Sequence, residues 1–235
     1  CLTKMDDTLY CLAWQDWLSR PIEGKIKFAS VGTSHACAIK LDNTVTCSGG
    51  KYPSHPPSDL GKVKYISSGA FHACAIKLDD TVKCWNAGDE TPQNYSIPPK
   101  ELGKVKTIAG SARSSCAIKF DNTIVCWGEK SNEHGLPIVG LENVKSLVSS
   151  PDSYITFAIK NDGSVTGWPD AYFGKAQPPK NIGKVKSVAS GDLSTCVIKE
   201  DDTVFCWGAN DFGQSTPPSK LGKVKSIFSS WKRNC

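Results

Sequence analysis

The chain of 235 residues contains no run of about 20 apolar residues, so nothing in it reads as a membrane-spanning helix. Helical periodicity is scarce as well. The nearest stretch, Leu12 to Leu18, is stopped by Pro21, which argues against a helical domain. Catalytic signatures are missing: there is no G-x-S-x-G, H-E-x-x-H or G-x-G-x-x-G. The segment "GANDFGQ" has Gln214 where a phosphate loop needs lysine. Cysteine is plentiful, at 11 residues, but the close C-x₂₋₄-C spacing of a structural zinc site is absent. No enzymatic activity, metal or cofactor is expected on these grounds.

What the chain does have is one phrase written repeatedly. "CAIKLDNTVTC" spans Cys37 to Cys47, and copies stand at Cys74–Cys84, Cys116–Cys126 and Cys196–Cys206. A worn copy, "CLTKMDDTLYC", runs from Cys1 to Cys11. A further copy, Phe157 to Gly167, keeps the frame and lacks both cysteines. Each reads as two short strands around a three-residue loop, a type I turn followed by one left-handed residue. That last slot holds Asn43, Asn122, Gly163, Asp7, Asp80 or Asp202, the residue types that accept positive φ most readily. Such a turn sets Cys37 opposite Cys47, within disulfide reach. Five cross-strand disulfides are expected: Cys1–Cys11, Cys37–Cys47, Cys74–Cys84, Cys116–Cys126 and Cys196–Cys206. Cys235 is left over as an unpaired or intermolecular thiol, in competition with Cys1 for Cys11. Zinc binding and packed, reduced thiols stand beside this as alternatives. Paired cysteines in register favour an oxidising, extracellular or cell-surface setting.

Taking the first cysteine slot as a marker gives positions 1, 37, 74, 116, 157, 196 and 235, at intervals of 36 to 42 residues. A second shared phrase precedes the marker: "GKIKFAS" at Gly24, "GKVKYIS" at Gly61, and further copies at Gly103, Gly183 and Gly222. "ENVKSLV" from Glu142 is its degenerate form. Trp85, Trp127, Trp168 and Trp207 follow the hairpin, and Pro-Pro pairs close most periods. Three short strands per period near 40 residues indicate an all-β propeller. The expectation is a single domain over residues 1–235, with six blades of about three antiparallel strands. The C-terminal "GKVKSIFSSWKRN" would supply the first strand of a composite blade completed by residues 1–11.

"SHACAIKLDNTVTCSG", "FHACAIKLDDTVKCWNAG" and "STCVIKEDDTVFCWGANDFGQ" resemble the repeats of the regulator of chromosome condensation superfamily in their short bacterial-type form. The resemblance covers nearly the whole chain and implies a β-propeller, usually of seven blades in that family, so six would be a departure. It also implies a binding protein. Members include a nucleotide-exchange factor for the GTPase Ran, a plant ultraviolet-B receptor and a secreted bacterial inhibitor of β-lactamase. None of their functional residues can be matched here, and the photoreceptor's Gly-Trp-Arg-His-Thr repeats are absent.

Two faces compete for function. The recurring lysines Lys25/Lys27, Lys62/Lys64, Lys104/Lys106, Lys184/Lys186 and Lys223/Lys225 belong to the end that carries the turns. There Asp6, Asp42, Asp79, Asp121, Asp162 and Asp201 are expected to neutralise them, so despite a net charge of +5 no nucleic-acid binding is expected. The opposite end carries the loops on which the repeats disagree. Trp14, Trp17, Phe71, Tyr95, Tyr154, Tyr172, Phe173, Phe212 and Trp231 gather there, a composition that suits a protein-binding surface. The leading expectation is a non-enzymatic protein that engages a protein partner through these aromatics. Carbohydrate binding by stacking and a structural role through an unpaired cysteine are the alternatives. The repeat-locked tryptophans are expected between blades, and His35 and His72 in local packing.

Overall fold

Positive φ at the last turn residue is the feature on which each hairpin depends, and it is present in all five described turns. Asn43, Asp80, Asn122, Gly163 and Asp202 have φ of 67°, 73°, 68°, 83° and 69°. The carboxylate one residue earlier braces the turn: Asp79 Oδ1 accepts from the Thr81 amide at 3.0 Å and from its hydroxyl at 2.6 Å. Asp42, Asp162 and Asp201 do the same with Thr44, Ser164 and Thr203. With the turn closed this way, Cys37 falls opposite Cys47, and so do Cys74 and Cys84, Cys116 and Cys126, and Cys196 and Cys206. All four pairs are disulfides with Cα atoms 4.0 Å apart. Phe157 and Gly167 occupy the same register without a bridge, and the buried Phe157 ring fills that space.

The structure is a computed structural model that describes residues 2–3, 9–10, 22, 24–33, 35–49, 55–86, 97–128, 141–151, 153–168, 177–191, 193–227, 229–230 and 233–234. Five three-stranded antiparallel sheets follow one another along the chain. Blade one consists of Ile26–Val31, His35–Lys40 and Val45–Gly49, and blade two of Val63–Ser68, His72–Lys77 and Val82–Asn86. Blade three has Val105–Gly110, Ser114–Lys119 and Ile124–Gly128. Blade four has Val144–Ser149, Thr156–Lys160 and Val165–Trp168, and blade five has Val185–Ser190, Ser194–Lys199 and Val204–Gly208. No helix long and apolar enough to cross a membrane occurs among the described residues.

Two short ladders lie outside these five. Ser229–Ser230 pairs with Arg233–Asn234 in the register of a blade's first two strands, Ser229 with Asn234 as Ser68 with Ala73. Leu2–Thr3 pairs with Leu9–Tyr10 in the register of the hairpin, Leu2 with Tyr10 as Ala38 with Thr46. The two parts of the expected composite blade are therefore each formed in register. No ladder joins them among the described residues.

Blades stack through apolar seams, and one tryptophan closes each. Trp85 of blade two packs with Cys37 and Ile39 of blade one, beside Leu60, Val63 and Ile66. Trp127, Trp168 and Trp207 repeat the arrangement against blades two, three and four. The Pro-Pro turns aim the chain back inward: Leu60, Leu102 and Ile182 donate their amides to Pro57, Pro99 and Pro179, and all three bury their side chains. Four of the five described turns are then bonded to the start of the segment that follows. Val63, Val105, Val185 and Val224 donate to the carbonyls of Asn43, Asp80, Gly163 and Asp202 at 2.8–3.0 Å. First strands lie innermost. Those of blades one to four line a cavity of about 240 Å³, and Thr33 of blade one reaches the Pro151 carbonyl of blade four at 3.5 Å.

Candidate partner-binding surfaces

Strand direction sorts the side chains onto two faces. First strands start, and the hairpins turn, at one end; first strands finish and third strands leave at the other. Leu41, Leu78, Asn161 and Glu200 donate their amides to the carbonyls of Lys25, Lys62, Asn143 and Lys184, which ties entry and turn together on the first face.

On this turn face the lysines are held by a device the sequence did not reveal. A register shift in the first ladder isolates Lys27 and Lys64, and a comparable shift falls beside Lys106 and Lys186. Such bulges re-aim a side chain. Lys27 and Lys106 donate to the side-chain oxygens of Asn43 and Asn122 at 3.2 and 2.7 Å, and Lys186 to Asp202 at 2.6 Å. Lys64 pairs with Asp80 in the same way. The expected partners Asp42, Asp79 and Asp162 are engaged chiefly by their own turns, whose hydroxyl and amide hold each carboxyl below its usual range. Asp121 and Asp201 also lie within ion-pair reach of Lys119 and Lys199. Asp6 lies outside the described residues. Neutralisation is thus partial, and it varies between blades.

The loop face carries Phe71, Tyr154 and Phe212, on blades two, four and five. Phe212 is 74% exposed and Phe71 43%, while Tyr154 is half-buried. A tight turn presents Phe212: its amide bonds Gln214 Oε1 at 2.8 Å, and the buried Gln214 anchors the loop. Trp14, Trp17, Tyr95, Tyr172, Phe173 and Trp231 lie outside the described residues, as do Cys1, Cys11 and Cys235. Just beneath this face His35 and His72 are fully buried. His72 Nε2 meets Ser115 Oγ of the next blade at 2.7 Å. Burial lowers the imidazole pKa values from 6.5 to about 4 for His35 and about 3 for His72, with a smaller push on His72 from His35. Among the described residues no group of three or more His, Cys, Asp or Glu is placed to hold a metal ion.

The profile of the Regulator of chromosome condensation (RCC1) repeat matches residues 185–214, which form blade five and its exit loop. The chain is a β-propeller, and its fifth blade matches the regulator of chromosome condensation repeat. Solved structures agree on the fold. The ectodomain of the receptor kinase CR4 from Physcomitrella patens is 19% identical, with a TM-score of 0.71 over 90% of this chain and 58% of that one. The CRINKLY WD40 ectodomain of the Arabidopsis thaliana receptor kinase ACR4 is 24% identical, with a TM-score of 0.63 over 81% and 67%. Prp20p from Saccharomyces cerevisiae, described with its binding to Gsp1p and histones, is 16% identical, with a TM-score of 0.73 over 95% and 74%. The chain spans less than two thirds of the CR4 ectodomain. No curated protein matches it in sequence.

Residue-by-residue reading of the sequence missed one set of side chains. Leu41, Leu78 and Phe120 open the turns of blades one to three and are 60%, 54% and 53% exposed. The available signal was the slot itself, apolar in three consecutive repeats and polar (Asn161, Glu200) in the next two.

Proposed function

We propose that this propeller is a non-enzymatic binding protein of the cell surface or extracellular space, engaging a protein partner through the divergent-loop face. The observation that carries the reading is the exposure of Phe212 and Phe71 on loops leaving two different blades in the same direction. Large aromatic rings held on braced loops over a rigid core have the composition of interface anchors. Four disulfides support an oxidising compartment. The likeness to two receptor ectodomains, and to Prp20p with its binding to Gsp1p and histones, is consistent with a fold used for partner recognition. Trp14, Trp17, Tyr95, Tyr172, Phe173 and Trp231 belong to the same proposed face.

The test is affinity capture from native extracellular fluid or surface-labelled cells, followed by substitution. Phe71→Ala and Phe212→Ala should each weaken capture about thirtyfold, corresponding to roughly 2 kcal/mol, with an unchanged melting temperature. Lys184→Glu, on the opposite face, should leave capture intact. Trp207→Ala should instead lower stability by roughly 3–5 kcal/mol through lost seam packing. Capture that survives both phenylalanine changes would refute the assignment of this face. A hit on a glycan array without any captured protein would favour the carbohydrate reading.

A further inference from the structure

The turn face is not uniform around the ring. The four residues entering each first strand and the four of each turn can be compared blade by blade. In blades one to three they hold nine lysines against Asp42, Asp79, Asp80 and Asp121, for a net charge of +5. In blades four and five they hold five lysines against Glu142, Asp162, Glu200, Asp201 and Asp202, for a net charge of zero. The exposed apolar tips follow the same division: Leu41, Leu78 and Phe120 stand on the basic arc, and Asn161 and Glu200 on the neutral one. Single exposed apolar residues need no explanation. Three in one slot of three adjacent blades, found among the five described blades only in those with excess positive charge, form a patterned surface.

That surface is rigid and continuous. The Leu41 amide bonds the Lys25 carbonyl, and the Asn43 carbonyl accepts from Val63, next to Lys62. The Leu78 amide bonds the Lys62 carbonyl, and the Asp80 carbonyl accepts from Val105, next to Lys104. One backbone hydrogen-bonded rim therefore alternates lysines and apolar tips across three blades. Lys27 and Lys106 are tied to neutral amides, so their charge is retained. Lys25, Lys62 and Lys104 form no ion pair among the described residues, although Lys62 lies near enough to help lower the Asp42 pKa.

We propose that the turn-side rim of blades one to three is a docking surface for an extended acidic protein segment with apolar residues interspersed among its carboxylates. Charge complementarity selects an anionic partner, and the tips require apolar groups in register with it. A nucleic acid fits less well, since single strands are gripped by aromatic stacking and only Phe120 offers a ring. An anionic lipid surface fits less well too, because the strongly negative leaflet is the cytoplasmic one and disulfides belong to oxidising compartments. The site lies opposite the loop face and does not depend on it.

The test uses fluorescence anisotropy on the full chain with a labelled twelve-residue peptide of alternating glutamate and leucine. The matching glutamate–serine peptide, a twelve-nucleotide oligothymidylate and phosphatidylserine vesicles serve as competing probes. The glutamate–leucine peptide should bind at least tenfold more tightly than the serine version, and binding should weaken as salt is raised. The triple change Leu41→Ser, Leu78→Ser, Phe120→Ser should remove that preference. The triple change Lys25→Glu, Lys62→Glu, Lys104→Glu should abolish binding. Lys184→Glu on blade five should leave it unchanged, and circular dichroism should show every variant folded. The proposal is overturned if the peptide does not bind, if serine replaces leucine without loss, or if Lys184→Glu is as damaging as the arc changes. Preference for the vesicles or the oligonucleotide would overturn it equally.

Discussion

His35 and His72 stand in the same slot of blades one and two, and their surroundings differ by one atom that matters. Each ring lies against a glycine three residues earlier: a Cβ on Gly32 would sit 2.3 Å from His35 Cε1, and one on Gly69 would sit 2.2 Å from His72 Cε1. Blade three has serine in both positions, and Ser111 and Ser114 bond each other at 2.6 Å. The same Cβ atoms on Gly32 and Gly69 would meet the next blade's backbone, Gly69 O at 2.5 Å and Ser111 O at 2.3 Å, so the imidazole and the neighbouring carbonyl together require glycine there. His72 finds Ser115 in the following blade, whereas the corresponding residue facing His35 is Ala73, and neither His35 nitrogen has a hydrogen-bond partner among the described residues. Leaving a buried polar group unpaired costs roughly 1–3 kcal/mol. Ala73→Ser should recover about 1 kcal/mol and raise the melting temperature by about 2–4 °C. Ser115→Ala should lower it. A scanning-calorimetry result in which Ala73→Ser destabilises while Ser115→Ala is neutral would show that these hydroxyls do not serve the imidazoles.

At the scale of the element, a blade's hairpin is a closed local unit. Turn, register and bridge are all contained in eleven residues, so oxidation can pair each cysteine with its neighbour before distant blades meet. Proteolysis of the non-reduced protein, followed by mass spectrometry, should recover Cys37–Cys47, Cys74–Cys84, Cys116–Cys126 and Cys196–Cys206 as pairs within single hairpins. Any abundant pair linking two blades would contradict the register. The blade without a bridge shows what the disulfide displaces, since Phe157 is fully buried and meets Trp207 of blade five edge-on at 6.1 Å. Here an aromatic ring supplies to the seam what cysteine supplies elsewhere.

At the scale of the whole molecule, the propeller depends on seams, and the two histidines are buried where one blade meets the next. Both are neutral in the folded state, with pKa values of about 4 and about 3 against 6.5 when exposed. The unfolded chain therefore binds more protons below pH 6.5, and stability must fall as pH falls. The contribution is complete above about pH 6.5 and declines progressively towards pH 4 for His35 and pH 3 for His72. Each pH unit in that window is worth about 1.4 kcal/mol per histidine. The turn aspartates, whose pKa values lie below the ordinary 3.8, act only in stronger acid. Urea midpoints measured from pH 7 to 4.5 should decrease steadily. A flat profile across that range would mean that the imidazoles are not held neutral by burial.

The sequence by itself determined the period, the hairpin, the left-handed turn slot and the four bridges described, because all of these are local. A two-residue strand period, one residue tolerant of positive φ and a ten-residue cysteine spacing leave a single register. The inward placement of Trp85, Trp127, Trp168 and Trp207 was also legible, since only these tryptophans kept step with the repeat. What tertiary structure decided were relations between repeats. Asn43, Asp80, Asn122 and Asp202 became the lysine partners, in place of the turn aspartates one residue earlier, because a bulge in the first ladder turns the lysine towards them. Ala73 came to face His35 without offering it a hydroxyl because neighbouring second strands meet across a seam. Leu41, Leu78 and Phe120 became a surface because backbone bonds from turn to next strand place three tips on one rim. Contacts of this kind lie some 40 residues apart in the chain, beyond the reach of any local pattern.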